Sequence, residues 1–241
     1  MRLIVEEGYS PAENMARDEA LFREFQDAGE PVWRIYTWER PAVTFGRLQP
    51  YPGEGATVPV VRRLTGGGIV PHGADLTYCV VQERRRGHEN YRSIIEVLAE
   101  ALQTSGIDCE VWEGEERGIE GRCFASLAPF DVHVNGRKLA GCAQYRTRDA
   151  VMHHGSIANS TPPAELAALY VWDRGSALTV EEVLGRRLSP TELAEAVESV
   201  FISHGIEIKR ESFSENEERA ADGLVDRYLS DAWNEKALWE P

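Results

Sequence analysis

The chain has 241 residues, an ordinary apolar share of 42% and a formal net charge of -14. That length suits one large domain, or one with a small appendage; the acidic balance argues against nucleic acid as the main partner, because phosphate contacts need basic surface. No apolar run approaches the ~20 residues that span a bilayer, no secretory signal opens the chain, and Cys79, Cys109, Cys123 and Cys142 form no Cys-x-x-Cys pair or zinc spacing, so a cytoplasmic protein with free thiols and no metal is expected.

Pro11 to Asp27 predicts a helix, with Leu21, Phe22 and Phe25 at helical spacing. Val32 to Trp38 and Ala42 to Phe45 alternate as strands. Val58 to Val61 and Leu76 to Gln82 flank Arg62-Arg63-Leu64-Thr65-Gly66-Gly67-Gly68. Three adjacent glycines permit positive φ and a close backbone approach to a ligand, and free N–H groups there can form an anion-binding concavity. The spacing is neither the dinucleotide fingerprint nor the P-loop. The stretch reads as a polar ligand loop or, equally, as a glycine-rich hairpin loop. Asn90 to Ser105 predicts an amphipathic helix ended by Gly106. Cys109 to Trp112 predicts a short strand, and Gly114 to Gly121 a charged loop.

Phe130 to Val134 and Lys138 to Gln144 predict a hairpin turning at Asn135-Gly136. Val151 to Ala158 is another strand, Pro162 to Ala168 a short helix. Helices are expected over Thr179 to Leu184, Pro190 to His204 (capped by Ser189) and Ser214 to Tyr228, with Glu207 to Ser212 as an edge strand. The pattern predicts an α+β fold: a mixed, mainly antiparallel sheet with helices on one side. One domain over 1–241 is expected, with 176–241 a helical part packed onto it. Basic residues cluster at Arg62-Arg63 and Arg84-Arg85-Arg86; each is a solvated loop or a local docking patch on an acidic surface.

Arg62 to Gly68, with His72 and Leu76-Thr77-Tyr78, resembles the signature loop of the biotin/lipoate protein ligase superfamily. Asn135-Gly136-Arg137-Lys138-Leu139-Ala140-Gly141-Cys142-Ala143-Gln144, then His153-His154-Gly155-Ser156-Ile157, resembles its second conserved segment. Asn14 to Leu21 resembles its first helix, and Trp33 to Trp38 and Pro41 to Gln49 its first strands. The resemblance implies one of two reactions. Ligases activate lipoate or biotin with ATP and Mg as an acyl-adenylate. Octanoyltransferases need no cofactor and take the acyl group from an acyl carrier protein thioester through a cysteine. Both deliver it to a lysine of a lipoyl domain, such as glycine cleavage H protein or the E2 component of 2-oxoacid dehydrogenases.

Cys123, in Arg122-Cys123-Phe124-Ala125-Ser126, resembles the nucleophile of octanoyltransferases whose Cys-Phe loop precedes the Gly-Arg-Lys strand. Thioester-to-thiol exchange is nearly isoenergetic, so a cysteine accepts an acyl group without ATP. A thiolate attacks, and Arg122 and Lys138 are candidates to lower the thiol pKa. The plainer reading of Cys123 is a small buried hydrophobe. The other cysteines read as structural, with Cys142 the second choice for nucleophile. Lys138 is the second catalytic candidate, an oxyanion donor in a transferase. The implied substrate-binding set is Arg62, Arg63, Thr65, Gly66, Gly67, Gly68, His72, Gly141, Ala143, His154 and Gly155, with Ile69, Val70 and Ala140 lining an apolar slot. Gly73-Ala74-Asp75 departs from the ligase pattern, whereas the glycine triplet is ligase-like. The alternatives are therefore an ATP-dependent lipoate-protein ligase and a non-catalytic lipoyl-domain binder.

Overall fold

The computed structural model describes residues 1–118, 123–164, 166, 173 and 175–238, the side chains at 27, 28, 117, 118 and 123 excepted. Strands are β1 (Arg2–Tyr9), β2 (Val32–Trp38), β3 (Ala42–Phe45), β4 (Val60–Arg62), β5 (Val70–His72), β6 (Asp75–Glu83), β7 (Glu110–Val111), β8 (Arg117–Gly118), β9 (Ser126–Leu127), β10 (Val132–Val134), β11 (Arg137–Arg146), β12 (Ala150–Ala158) and β13 (Lys209–Arg210). Helices are α1 (Pro11–Ala28), α2 (Glu89–Thr104), α3 (Val180–Leu184), α4 (Pro190–Ser203), α5 (Glu215–Leu229) and α6 (Asp231–Asn234).

Eight strands form the main sheet, in the order β13-β1-β2-β6-β12-β11-β10-β7. Its β13-β1-β2 end is parallel and the rest antiparallel. A second sheet, β4-β3-β5, carries the residues around the glycine loop. The predicted mixed, mainly antiparallel α+β architecture is thus present. Helices on one side only is corrected. α2 and α4 pack on Leu3, Trp33, Ile35, Tyr78 and Val80, whereas α1, α5 and α6 cover Ile4, Val32, Tyr36, Cys79 and Val81. β2 and β6 are buried on both faces along most of their length, so both faces require cover. The stretch from 176 onward places α4 on one face and α5 on the other, while β13 extends the sheet beside β1.

Helix starts follow local chemistry. Ser10, Thr179, Ser189 and Ser214 each cap a helix and pair with a glutamate three residues on, in reciprocal capping boxes. α2 starts differently: His88 makes no side-chain cap. The β10–β11 turn has Asn135 at φ 50° and Gly136 at φ 77°, as a two-residue type I′ hairpin requires. β1, β5 and α6 were not anticipated: β1 carries Glu6-Glu7-Gly8 before its last residue, Tyr9, which breaks the apolar alternation, and the other two are only 3 and 4 residues long. The expected 114–121 loop contains β8, paired with β9. Most of the expected helix at 162–168 lies outside the described residues.

Candidate active site

A cleft with about 460 Å³ of empty space, the solvent at its mouth included, opens between β11–β12 of the main sheet and the small sheet. Gly141, Cys142, Ala143, His154, Gly155 and Ser156 form one wall; Thr44, Arg63, Val70 and His72 form the other. Met15, Trp38 and Phe124 supply apolar surface. The sequence segments thus converge because β12 runs antiparallel to both β11 and β6, setting Ala143 opposite His154 and Cys142 opposite Gly155.

The glycine loop is held from beneath by Arg63. Its guanidinium donates to the carbonyls of Gly66 (2.6 Å) and Gly68 (2.8 Å) and to Thr44 Oγ1 (3.3 Å). Gly67 has φ 86°, and a Cβ there would sit 2.8 Å from Arg63 Nη2. A Cβ on Gly46 would overlap the Gly67 carbonyl, so Gly46 is a second, unforeseen glycine on which the loop depends. Gly155 lies under the Tyr78 ring and leaves no room for a side chain.

Arg62 is not brought to the cleft. Its guanidinium donates to the carbonyls of Arg47, Gln49, Trp233 and Asn234, at 2.7–3.0 Å. It anchors the C-terminal end against the base of the loop. Two of the suggested slot residues are also turned away. Ile69 packs with Val43 and Phe45 behind the small sheet, and Ala140 lies in the opposite-face core. Val70 does line the cleft.

Each cleft histidine sits against a buried aspartate that sequence reasoning did not assign. His72 Nδ1–H donates to Asp75 Oδ2 (2.8 Å), since an ionised carboxylate only accepts. Nε2 lies 2.8 Å from Thr44 Oγ1, and the ring stacks on Trp38 at 4.0 Å. Burial opposes the charge on Asp75, but His72 and hydrogen bonds from Ser156 and Thr77 outweigh it and hold the carboxyl below its ordinary range. His154 lies between Asp18 Oδ2 (3.0 Å) and Thr65 Oγ1 (3.2 Å). Asp18 in turn accepts from Arg34 (2.8 Å) and Tyr36 (2.7 Å). Burial opposes its charge as well, but Arg34 and His154 prevail and lower its pKa.

Lys138 and Gly141 adjoin because of a β-bulge. Val132 pairs with Ala140 and His133 with Lys138, leaving Leu139 as the extra residue. The bulge shifts the alternation, and a Cβ on Gly141 would come within 2.7 Å of Lys138 Nζ. The Gly-Arg-Lys-Leu-Ala-Gly spacing thus makes a slot for the ammonium against the cleft wall. Lys138 is buried and paired with buried Asp131 at 2.7 Å. Burial pushes the Asp131 carboxyl up, against the opposing effect of Lys138.

Cys123 opens a 3₁₀ turn, Cys123–Ala125, whose Phe124 lines the cleft. Its side chain, and all of Arg122, lie outside the described residues. Cys79 and Cys109 are buried free thiols, and burial pushes Cys109 up to about 12. Cys142 is a half-buried cysteine in the cleft wall.

Behind this wall, on the opposite sheet face, His153 is fully buried between Tyr78 and Gln144. Burial, reinforced by His154 and Arg146, lowers its pKa to about 3. A histidine depressed from about 6.5 stabilises the fold fully above that pH. It loses the contribution as pH falls toward 3, where only the unfolded chain takes up the proton. Urea midpoints should therefore drop between pH 6.5 and 3, at up to about 1.4 kcal/mol per pH unit for one proton. In His153→Gln that slope should flatten; an unchanged slope would assign the loss to other groups. The lowered aspartates add their own loss from about pH 5 downward, so the His153 slope is read above that pH.

The model of the lipoyl protein ligase A/B catalytic domain matches residues 10–202. Among curated proteins, an octanoyltransferase LipM of Exiguobacterium sp. strain AT1b is 30% identical, over 96% of both chains. One of Symbiobacterium thermophilum is 31% identical over 96% of this chain and 97% of its own. Among solved structures, a lipoate-protein ligase A bound with ATP superposes with a TM-score of 0.81 at 24% identity, covering 98% of this chain and 99% of the other. A bi-partite lipoate protein ligase from Thermoplasma acidophilum gives 0.78 at 22%, over 100% and 98%. At these identities the structural matches speak to the fold.

Proposed function

Because the chain belongs to the lipoyl protein ligase A/B catalytic-domain family, we propose that it is an acyltransferase moving an octanoyl group onto a lysine of a lipoyl-domain protein. The observation that carries this is the similarity, at 30–31% identity over nearly the whole chain, to proteins named octanoyltransferase. The donor in this reading is octanoyl-acyl carrier protein. The acceptor is a lipoyl-domain protein such as glycine cleavage H protein or an E2 component.

The cleft suits an acyl chain: Met15, Trp38, Val70 and Phe124 provide apolar wall, and each buried methylene contributes about 0.8 kcal/mol. In the first step the Cys123 thiolate attacks the donor thioester carbonyl. The acyl carbon–Cys123 Sγ bond forms, the acyl carbon–carrier sulfur bond breaks, and the carrier sulfur leaves as a thiolate that takes up the proton given up by the Cys123 thiol. In the second step the lysine amine attacks the Cys123 thioester, loses a proton, forms the amide and releases the thiol. Lys138, held by Asp131 beside Gly141, donates to the carbonyl oxygen as charge develops, an effect of roughly 2.7–4 kcal/mol per donor. No ATP enters the balance.

The test is to incubate the protein with octanoyl-acyl carrier protein, without ATP, and take an intact mass. A covalent octanoyl adduct that passes to an added lipoyl domain is expected. Transfer seen only with free acid, ATP and Mg would replace this reading by the ligase one, which the glycine triplet resembles.

A further inference from the structure

We propose that Arg84, Arg85, Arg86, Arg146 and Arg148, gathered at one end of the main sheet, dock an acidic protein that presents its acyl group as a thioester on a long flexible arm. The inference rests on the acyltransfer reading above and identifies where the donor binds.

The two arginine clusters of the sequence have opposite fates. Arg62 and Arg63 are buried and donate to backbone carbonyls. Arg84, Arg85 and Arg86 are exposed, in the loop between β6 and α2. That loop is laced to the β11–β12 turn. Arg84 N–H donates to the Asp149 carbonyl (2.8 Å), Arg84 Nη1 to that of Thr147 (2.8 Å), and Arg146 Nη1 to that of Gly87 (3.0 Å). Buried Asn90 fixes the loop from the other side, accepting from Arg85 N–H (2.7 Å) and donating to the Glu83 carbonyl (3.0 Å). The lacing brings Arg146 and the exposed Arg148 to the same corner. Against these five arginines stand Asp149 in the β11–β12 turn and Glu83 and Glu89 at the flanking ends of β6 and α2, so these segments are positive on a chain whose formal net charge is -14.

That contrast selects the partner's sign: a corner of this charge draws in acidic surface that the remainder of the molecule repels. Its distance from the cleft selects the donor. Arg146 is three residues along β11 from Ala143 of the cleft wall, about 10 Å at ~3.3 Å per residue. Arg84 is seven residues along β6 from Thr77, about 23 Å. A lysine acceptor reaches only on a four-carbon stem and must bring its backbone close to the mouth. A thioester on a phosphopantetheine-type arm spans the gap from a partner seated at this corner.

Arg84 and Arg146 hold the loops, so the variant to make is Arg85→Glu/Arg86→Glu/Arg148→Glu, with the three glutamine replacements as a milder series. The KM for octanoyl-acyl carrier protein should rise roughly tenfold or more at low salt for the glutamate variant, and less for the glutamine one. Added salt should weaken the wild-type reaction and matter less to the variants. Acylation by octanoyl-pantetheine and the melting temperature should not change. Equal donor KM values for wild type and variant overturn the inference while leaving the acyltransfer reading intact. So does a rise in KM for the lipoyl-domain acceptor alone, which would assign the corner to the other partner. A wild-type protein that takes octanoyl from pantetheine and from no carrier protein also overturns it. Failure with every thioester overturns the acyltransfer reading itself.

Discussion

Cys123→Ala is expected to abolish octanoyl transfer while leaving the melting temperature within a few degrees of wild type. The change deletes one sulfur and keeps the backbone of the Cys123–Ala125 turn, whose Phe124 and Ala125 are buried. Wild type should carry a hydroxylamine-labile octanoyl adduct that peptide mapping places on Cys123. Cys79 and Cys109 compete poorly, because burial pushes both thiols up and a protonated thiol is a weak nucleophile. Cys142 is the real rival, half-buried in the cleft wall. An adduct on Cys142, retained in the Cys123→Ala variant, would move the nucleophile there.

Lys138→Ala is expected to lower the acylation rate by roughly 10²–10³, the loss of one oxyanion donor. It carries a second effect that sequence reasoning missed. Asp131 is left buried without its cation, and breaking a buried pair from one side costs about 3–5 kcal/mol. The two effects separate in the double variant Lys138→Met/Asp131→Leu, which removes both charges. That protein should recover most of the lost stability and none of the lost rate. Recovery of both would make Lys138 a structural cation; unchanged single-turnover acylation in a folded Lys138→Ala would exclude the donor role outright.

What the sequence made legible follows from how local the signal is. Asn135-Gly136 predicts its hairpin because both turn residues need positive φ, a property of the two residues alone. Ser189 and Ser214 predict helix starts for a similar reason. The cleft was legible in outline, since His72, Gly141, Ala143, His154 and Gly155 all line it. Its support was not. Asp18 lies 136 positions before His154 in the chain, and nothing in a helical Arg17-Asp18-Glu19 marks which carboxylate turns inward. Asp131 is seven positions before Lys138, and only the bulge at Leu139 reveals that Lys138 turns toward it. Arg62 lies away from the cleft because its guanidinium is engaged by backbone carbonyls, two of them from Trp233 and Asn234, 171 and 172 positions away, which no local pattern marks. Face assignment of the helices failed because polar residues such as Arg34, Asp75 and Thr77 are buried beside apolar ones in β2 and β6, so the sequence pattern does not show that both faces need cover.

That last contact sets the order in which the molecule becomes competent during synthesis. The carbonyls of Trp233 and Asn234 receive the Arg62 guanidinium, the Asn234 side chain accepts from Arg62 N–H, and Trp233 Nε1 donates back to the Arg62 carbonyl (2.7 Å). A nascent chain leaving the ribosome from its N-terminus can pair the central strands long before these residues exist. The base of the glycine loop stays unclamped until residue 234 has emerged. A ribosome-bound fragment lacking α6 is therefore expected to pair its central strands without this clamp beneath the glycine loop.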